Sequence, residues 1–282
     1  MKIFRPNHAA LAPYACPNAM YSCQAAATWC IINKPIRKKG LFVTFKAAFF
    51  DRDNTLVYRD KSIRNKRSEL IRAWSGRDDT LSYEQSMALF DMAGYPDKFF
   101  YEHRNDEDIC IKEEYLFWQR YNECHLKLLG VNDNVAERAA ILNEMSWLKG
   151  IIAYPETVKT LDWFRAKGYK LGVISDTSPS LRLTIKQAGL DEYFDSYTCS
   201  AFAGVDKPDP KIFNMALESL GVSAAESLYV DDYYVEADGA RNMGFTAFHI
   251  IRDGYDKGYE GERKWDIYSL YELAEYAGRE NK

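Results

Sequence analysis

The chain has 282 residues, 47% hydrophobic and 28% charged, which fits one soluble globular domain or a domain with an insertion. A formal net charge of −4 argues against a general nucleic-acid binder, whose footprint is basic. No uninterrupted apolar run approaches the roughly 18 residues of a spanning helix, so no membrane partner is expected.

Residues 1–43 stand apart. They contain Lys2, Arg5, Lys34, Arg37, Lys38 and Lys39, and the first acidic residue of the chain is Asp51. A basic, acid-free start is either a targeting segment or a loosely ordered extension. The apolar stretch "AAATWCII" is short and no clear cleavage site follows it, which favours the extension. Cys16, Cys23, Cys30, Cys110, Cys124 and Cys199 make no C-x-x-C pair and imply no disulfide framework. They read as free thiols of a reducing, cytoplasmic compartment. His8, His103, His125 and His249 are isolated, which disfavours a zinc cluster.

The run 45–50 reads as a buried strand that ends in "DRDNT", with Asp51 and Asp53 one residue apart. Taken alone, Asp-x-Asp after a strand is as consistent with a turn as with function. A calcium loop starting at Asp51 fails, because Leu56 stands where glycine is required and Ser62 where glutamate is required. From 64 to 150 the strand signals fade and amphipathic stretches such as "SYEQSMALFDMAG" and "IKEEYLFWQRYNECHLKLLG" take over, predicting a separate helical module. Its aromatics (Tyr95, Phe99, Phe100, Tyr101, Tyr115, Trp118, Tyr121) read as core, and His103, Arg104, Lys112, Arg120 and Lys127 as solvated faces. Strand and helix then alternate. A helix is predicted over 154–169, a strand over 169–175 ending in Ser175 and Asp176, and a helix over 180–190. After Lys207 in "GVDKPDP" come a helix over 210–222, a strand over 227–232 ending in Asp231 and Asp232, a short helix over 236–245 and a strand over 245–251. A last strand or turn and a helix fall in 265–277. This rhythm predicts an α/β, doubly wound, Rossmann-like parallel sheet, with 44–63 and 151–282 as its core and 64–150 as an inserted helical cap. In such sheets ligands bind past the carboxyl ends of the strands. That edge would gather Asp51, Asp53, Ser175, Lys207 and Asp231, with Glu236 nearby.

Taken together, these segments resemble the haloacid dehalogenase (HAD) superfamily, in its branch with a helical cap after the first motif. "FFDRDNTLV" is similar to the D-x-D-x-T first motif, "LGVISDTS" to the second, "VDKPDPKIF" to the third and "LYVDDYYVEADGARNMGF" to the fourth, over about four-fifths of the chain. Val230 stands where glycine is common and Glu236 where aspartate is usual. The resemblance implies a Mg²⁺-dependent phosphatase acting on a small phosphorylated metabolite. Asp51 would be the nucleophile and Asp53 the general acid and base, its pKa raised by neighbouring carboxylates. Ser175, Asp176, Lys207, Asn54 and Thr55 would surround the phosphoryl group. Asp51, Asp231 and the Asp53 carbonyl would hold the metal, with Asp232 and Glu236 one layer further out. The alternatives are a phosphomutase of the same superfamily and a non-catalytic HAD-like binding protein. Dehalogenases of the superfamily lack an aspartate at the position of Asp53, which sets carbon–halogen cleavage aside. Charge arithmetic asks for the metal independently. Two unit charges about 4 Å apart interact by roughly 4 kcal/mol at an effective dielectric near 20. Lys207 alone does not offset several such repulsions and an anionic substrate as well.

Overall fold

The computed structural model describes residues 44–252 and 263–280, so the basic segment 1–43 lies outside the described residues. Strand β1 (Ala47–Phe50) leads through a turn to β2 (Val57–Arg59). Five helices follow: α1 (Lys61–Ser75), α2 (Tyr83–Ala93), α3 (Asp97–Glu102), α4 (Glu107–Leu128) and α5 (Val135–Ser146). The chain returns through β3 (Ile151–Ala153), α6 (Thr157–Ala166), β4 (Lys170–Ser175), α7 (Leu181–Gln187), β5 (Ser196–Cys199) and the single turn α8 (Ser200–Ala203). It ends with α9 (Pro210–Leu220), β6 (Ser227–Asp231), α10 (Tyr234–Asn242), β7 (Thr246–Ile250), β8 (Asp266–Ile267) and α11 (Leu270–Glu280).

Six strands form one parallel sheet in the order β5-β4-β1-β6-β7-β8. β1 lies inside it, with Phe50 opposite Val173 on one side and Val230 on the other. Its four side chains are all fully buried, and their period of two divides them between the faces. Ala48 and Phe50 join the cluster containing Phe164 of α6, Ile185 of α7 and Leu273 of α11. Ala47 and Phe49 join Ile212 and Phe213 of α9 and Ala240 of α10 on the opposite face. A strand apolar on both sides and covered on both sides is what a doubly wound sheet requires at its centre. The reversal of strand order around β1 places the crevice above its carboxyl end.

Local signals set the element ends. Asp209 accepts a hydrogen bond from the Lys211 N–H at 2.9 Å, Pro210 fills the first turn of α9, and Gly221 closes it at φ 62°. Asp60 caps α1 by accepting from the Ser62 N–H at 2.8 Å, so the inserted helices begin at Lys61 rather than at 64. β2 and β3 pair antiparallel, Arg59 opposite Ile151, which makes the insert's exit and return strands neighbours. Inside the insert, Phe90 packs against Tyr95, Phe117, Trp118 and Tyr121, so these aromatics form a core of their own. Among the described residues, no helix is long and apolar enough to cross a membrane.

Candidate active site

Asp51 is the first residue past β1, and its N–H still donates to the Val230 carbonyl at 2.9 Å, so the sheet fixes its backbone. Asp231 closes β6, the neighbouring parallel strand. Lys207 enters from the loop before α9. Its ammonium lies 2.8 Å from Asp51 Oδ1, 2.8 Å from Asp231 Oδ2 and 2.7 Å from Glu236 Oε2. The Tyr229 hydroxyl is 3.2 Å away and also donates to Asp231. The second oxygen of Asp231 accepts the Tyr233 N–H at 2.8 Å. Ser175 is the buried last residue of β4, the strand that flanks β1 on its other side.

One ammonium therefore faces more carboxylates than it neutralises. Burial pushes the Asp51 carboxyl up to about 7; Lys207 opposes the rise, while Asp231 and Asp53 add to it. Burial lifts Glu236 to about 10 against the pull of Lys207. Burial, with Asp51 and Asp231, holds Asp232 well above the usual carboxylate range. Lys207 moves up too: burial would depress it, but Asp231, Asp51 and Glu236 outweigh burial. Asp51, Asp231 and Asp232 each present an oxygen within 4.8 Å of the others. An all-oxygen, carboxylate-rich set with a surplus of negative charge fits a hard divalent cation.

Several expected residues are placed differently. Asp232 stands with Asp51 and Asp231 rather than one layer behind them, while Glu236 is turned onto Lys207, where its longer arm reaches. The Asn54 side-chain amide donates to Asp232 Oδ2 at 3.0 Å, so it braces a carboxylate rather than facing open space. The Asp176 carboxylate accepts the Lys207 N–H at 3.0 and 3.1 Å, holding the lysine loop in place. Thr55 is fully buried, with its hydroxyl sealed from solvent and without a hydrogen-bond partner. Asp53 is held by its neighbour in sequence, Arg52. Arg52 Nε and NH2 donate to its Oδ2 at 3.0 and 2.5 Å. Burial raises its carboxyl, but Arg52 and then Arg59 outweigh burial and hold it below the usual range, the reverse of the expected shift.

The sequence reading missed Arg52, Tyr229 and Arg252. Tyr229 was accessible in principle, since it stands two residues before Asp231 and so on the same face of β6. Arg252 clamps the loop after Asp53, donating to the carbonyls of Asn54 (3.2 Å) and Thr55 (2.7 Å) and to Glu156 (2.5 Å).

A parallel sheet with helices on both faces, a helical insert after its central strand, and carboxylates gathered on a lysine at the sheet's carboxyl edge define a class of α/β hydrolases. The family profile for haloacid dehalogenase-like hydrolases matches residues 45–244, which span the cluster from Asp51 to Glu236, and the chain belongs to that family. It is 29% identical over 219 residues to a protein of Pyrococcus abyssi named glyceraldehyde 3-phosphate phosphatase, covering 71% of this chain and 78% of the relative. It is 32% identical over 131 residues to (S)-2-haloacid dehalogenase 4A of Burkholderia cepacia, covering 46% of this chain and 57% of that protein. A solved HAD phosphatase from Thermococcus onnurineus superposes with a TM-score of 0.50 at 28% identity, over 83% of this chain and 98% of the other.

Proposed function

We propose that this chain is a Mg²⁺-dependent phosphatase that hydrolyses a small phosphomonoester through an aspartyl-phosphate on Asp51. The observation that carries this reading is the ion-paired grouping of Asp51 and Asp231 on Lys207, with Asp53 two residues beyond the nucleophile. The relatives in the family carry names from two chemistries, phosphoester and carbon–halogen hydrolysis. Asp53 favours the first, because a phosphomonoester's leaving alkoxide needs a proton and a halide does not.

In the first half-reaction a carboxylate oxygen of Asp51 attacks phosphorus, the bond to the leaving oxygen breaks, and Asp53, which first leaves Arg52 and takes up a proton from solvent, gives that oxygen the proton. In the second, Asp53 takes a proton from a water that attacks the aspartyl-phosphate, releasing phosphate and restoring Asp51. Lys207 holds Asp51 in place and its positive charge offsets charge on the phosphoryl oxygens. Asp53 must turn from Arg52 toward Asp51 to do this work. Asp51, Asp231 and Asp232 would hold Mg²⁺, which when bound neutralises the negative charge of the phosphoryl group and its nucleophile.

The test is hydrolysis of p-nitrophenyl phosphate with and without Mg²⁺, beside Asp51→Asn and beside halide release from 2-chloropropionate. The expected result is Mg²⁺-dependent phosphate release that falls by about 10³-fold or more in the variant. Halide release without phosphate release, or equal rates in wild type and variant, would falsify the reading.

A further inference from the structure

Arg59 is the last residue of β2, on the same side of the ribbon as Val57, whose backbone bridges to Asp53. Its Nε is sealed from solvent and has no hydrogen-bond partner. The nearby carboxylate of Asp53 already binds Arg52, which gives two N–H groups to its Oδ2. Arg64, in the first turn of α1, adds another positive charge to the same neighbourhood. Burial drives the Arg59 guanidinium below its usual value, Asp53 only partly restores it, and Arg52 and Arg64 push it further down. An incompletely paired, partly buried guanidinium is costly, and a rigid fork of donors suits a planar carboxylate or a phosphate.

Charge is thus split between two neighbourhoods: three carboxylates meet one ammonium at Lys207, and three arginines, Arg52, Arg59 and Arg64, lie around Asp53. Two other arginines of the insert, Arg104 and Arg120, are occupied. Arg104 lies over the Tyr101 ring and donates to the Tyr101 carbonyl at 2.7 Å. Arg120 binds Glu113 at 2.9 Å and the Ala93 carbonyl at 3.0 Å.

We propose that Arg59, backed by Arg52, is the subsite for a second anionic group on the leaving alcohol, so that the preferred substrates are phosphomonoesters bearing a carboxylate or a second phosphate. This deepens the phosphatase reading and rests on it. With the phosphoryl group at Asp51, the second anion supplies the counter-charge that Arg59 lacks and frees Asp53 from competing for that role.

The test compares kcat/KM for 2-phosphoglycolate, 1,3-propanediol bisphosphate and n-propyl phosphate in wild type, Arg59→Gln and Arg59→Lys. Wild type is expected to favour one doubly anionic ester over propyl phosphate by about tenfold or more. Which ester it favours distinguishes carboxylate from phosphate. Arg59→Gln should collapse that ratio to near unity, mainly through KM, and Arg59→Lys should keep part of it. A ratio near unity in wild type, or one unchanged in Arg59→Gln, overturns the proposal. Should no ester turn over, the phosphatase reading fails separately, and calorimetric titration of the same esters into Asp51→Asn protein decides the subsite. Adding Arg59→Gln must then weaken the doubly anionic ester about tenfold more than propyl phosphate; equal weakening overturns it.

Discussion

Arg52 sits between the two aspartates of the first motif, and its side chain is only 4% exposed. Its NH1 donates to Thr184 Oγ1 at 3.0 Å, so α7 anchors one end of the guanidinium while the other end holds Asp53 ionised. Replacing it with glutamine removes the nearest positive charge on Asp53 and lets burial raise that carboxyl. A general acid with a higher pKa stays protonated to higher pH. In Arg52→Gln the alkaline limb of kcat/KM against pH should therefore move to higher pH, as a pH series with p-nitrophenyl phosphate will show. An unmoved limb would mean that Asp53 is not the titrating acid. None of this was legible in "DRDNT". The motif marks Asp51 and Asp53 by spacing, but leaves the residue between them open, and a basic residue beside acids reads equally well as a solvated turn. Asp232 was similarly ambiguous. Adjacent residues normally diverge, and only the turn after β6, with Asn54 bracing the side chain, brings it back beside Asp231.

At the scale of elements, the strands that could be read were those buried on both faces. β1, β4, β6 and β7 are continuous apolar runs, and the registers of β1, β4 and β6 put their polar tips on one edge. β5 was not read, because "SYTC" at the sheet's margin has neither a branched apolar run nor a clean alternation. The short β2–β3 ribbon has too few residues for a period to show. Within β4, Gly172 lies opposite Phe49, and a Cβ there would come within 2.6 Å of the Phe49 ring and 2.7 Å of Ser196 Oγ. Ala47–Phe50 is fixed from both sides, so the ring has little room to retreat. Gly172→Ala should cost about 1–3 kcal/mol through overpacking. Urea unfolding will measure it, and an unchanged midpoint would show that β1 yields more readily than its packing implies.

Across the whole molecule, the inserted helices are bound to the sheet domain by buried polar contacts as well as apolar ones. Glu114 of α4 accepts the Ser180 N–H at 2.9 Å and the Ser180 hydroxyl at 2.7 Å, and Tyr95 meets the Ser178 hydroxyl at 3.2 Å. The Tyr101 ring packs where only a glycine, Gly204, leaves space, within 2.7 Å of where a Cβ would stand. Phe100 and Cys110 belong to the same apolar cluster as Phe50. Glu114 is 2% exposed, and burial lifts its carboxyl above the usual range despite the Ser180 hydrogen bonds. Glu114→Ala leaves the Ser180 N–H buried without an acceptor, a loss of about 1–3 kcal/mol. Hydrogen exchange should then quicken at residues 177–181 and in α4 together. If exchange rises in α4 alone, the contact is local to the insert and does not join the two parts.

The β2–β3 ribbon has a consequence for how such a protein diversifies. Because Arg59 lies opposite Ile151, the chain departs and comes back through adjacent positions, about 4.8 Å apart as strand neighbours are. Any module whose two ends are that close can be spliced at this seam without displacing the strands that hold Asp51 and Asp231. Selection can thus exchange the inserted helices wholesale while the strands that carry the carboxylate–lysine cluster are inherited intact.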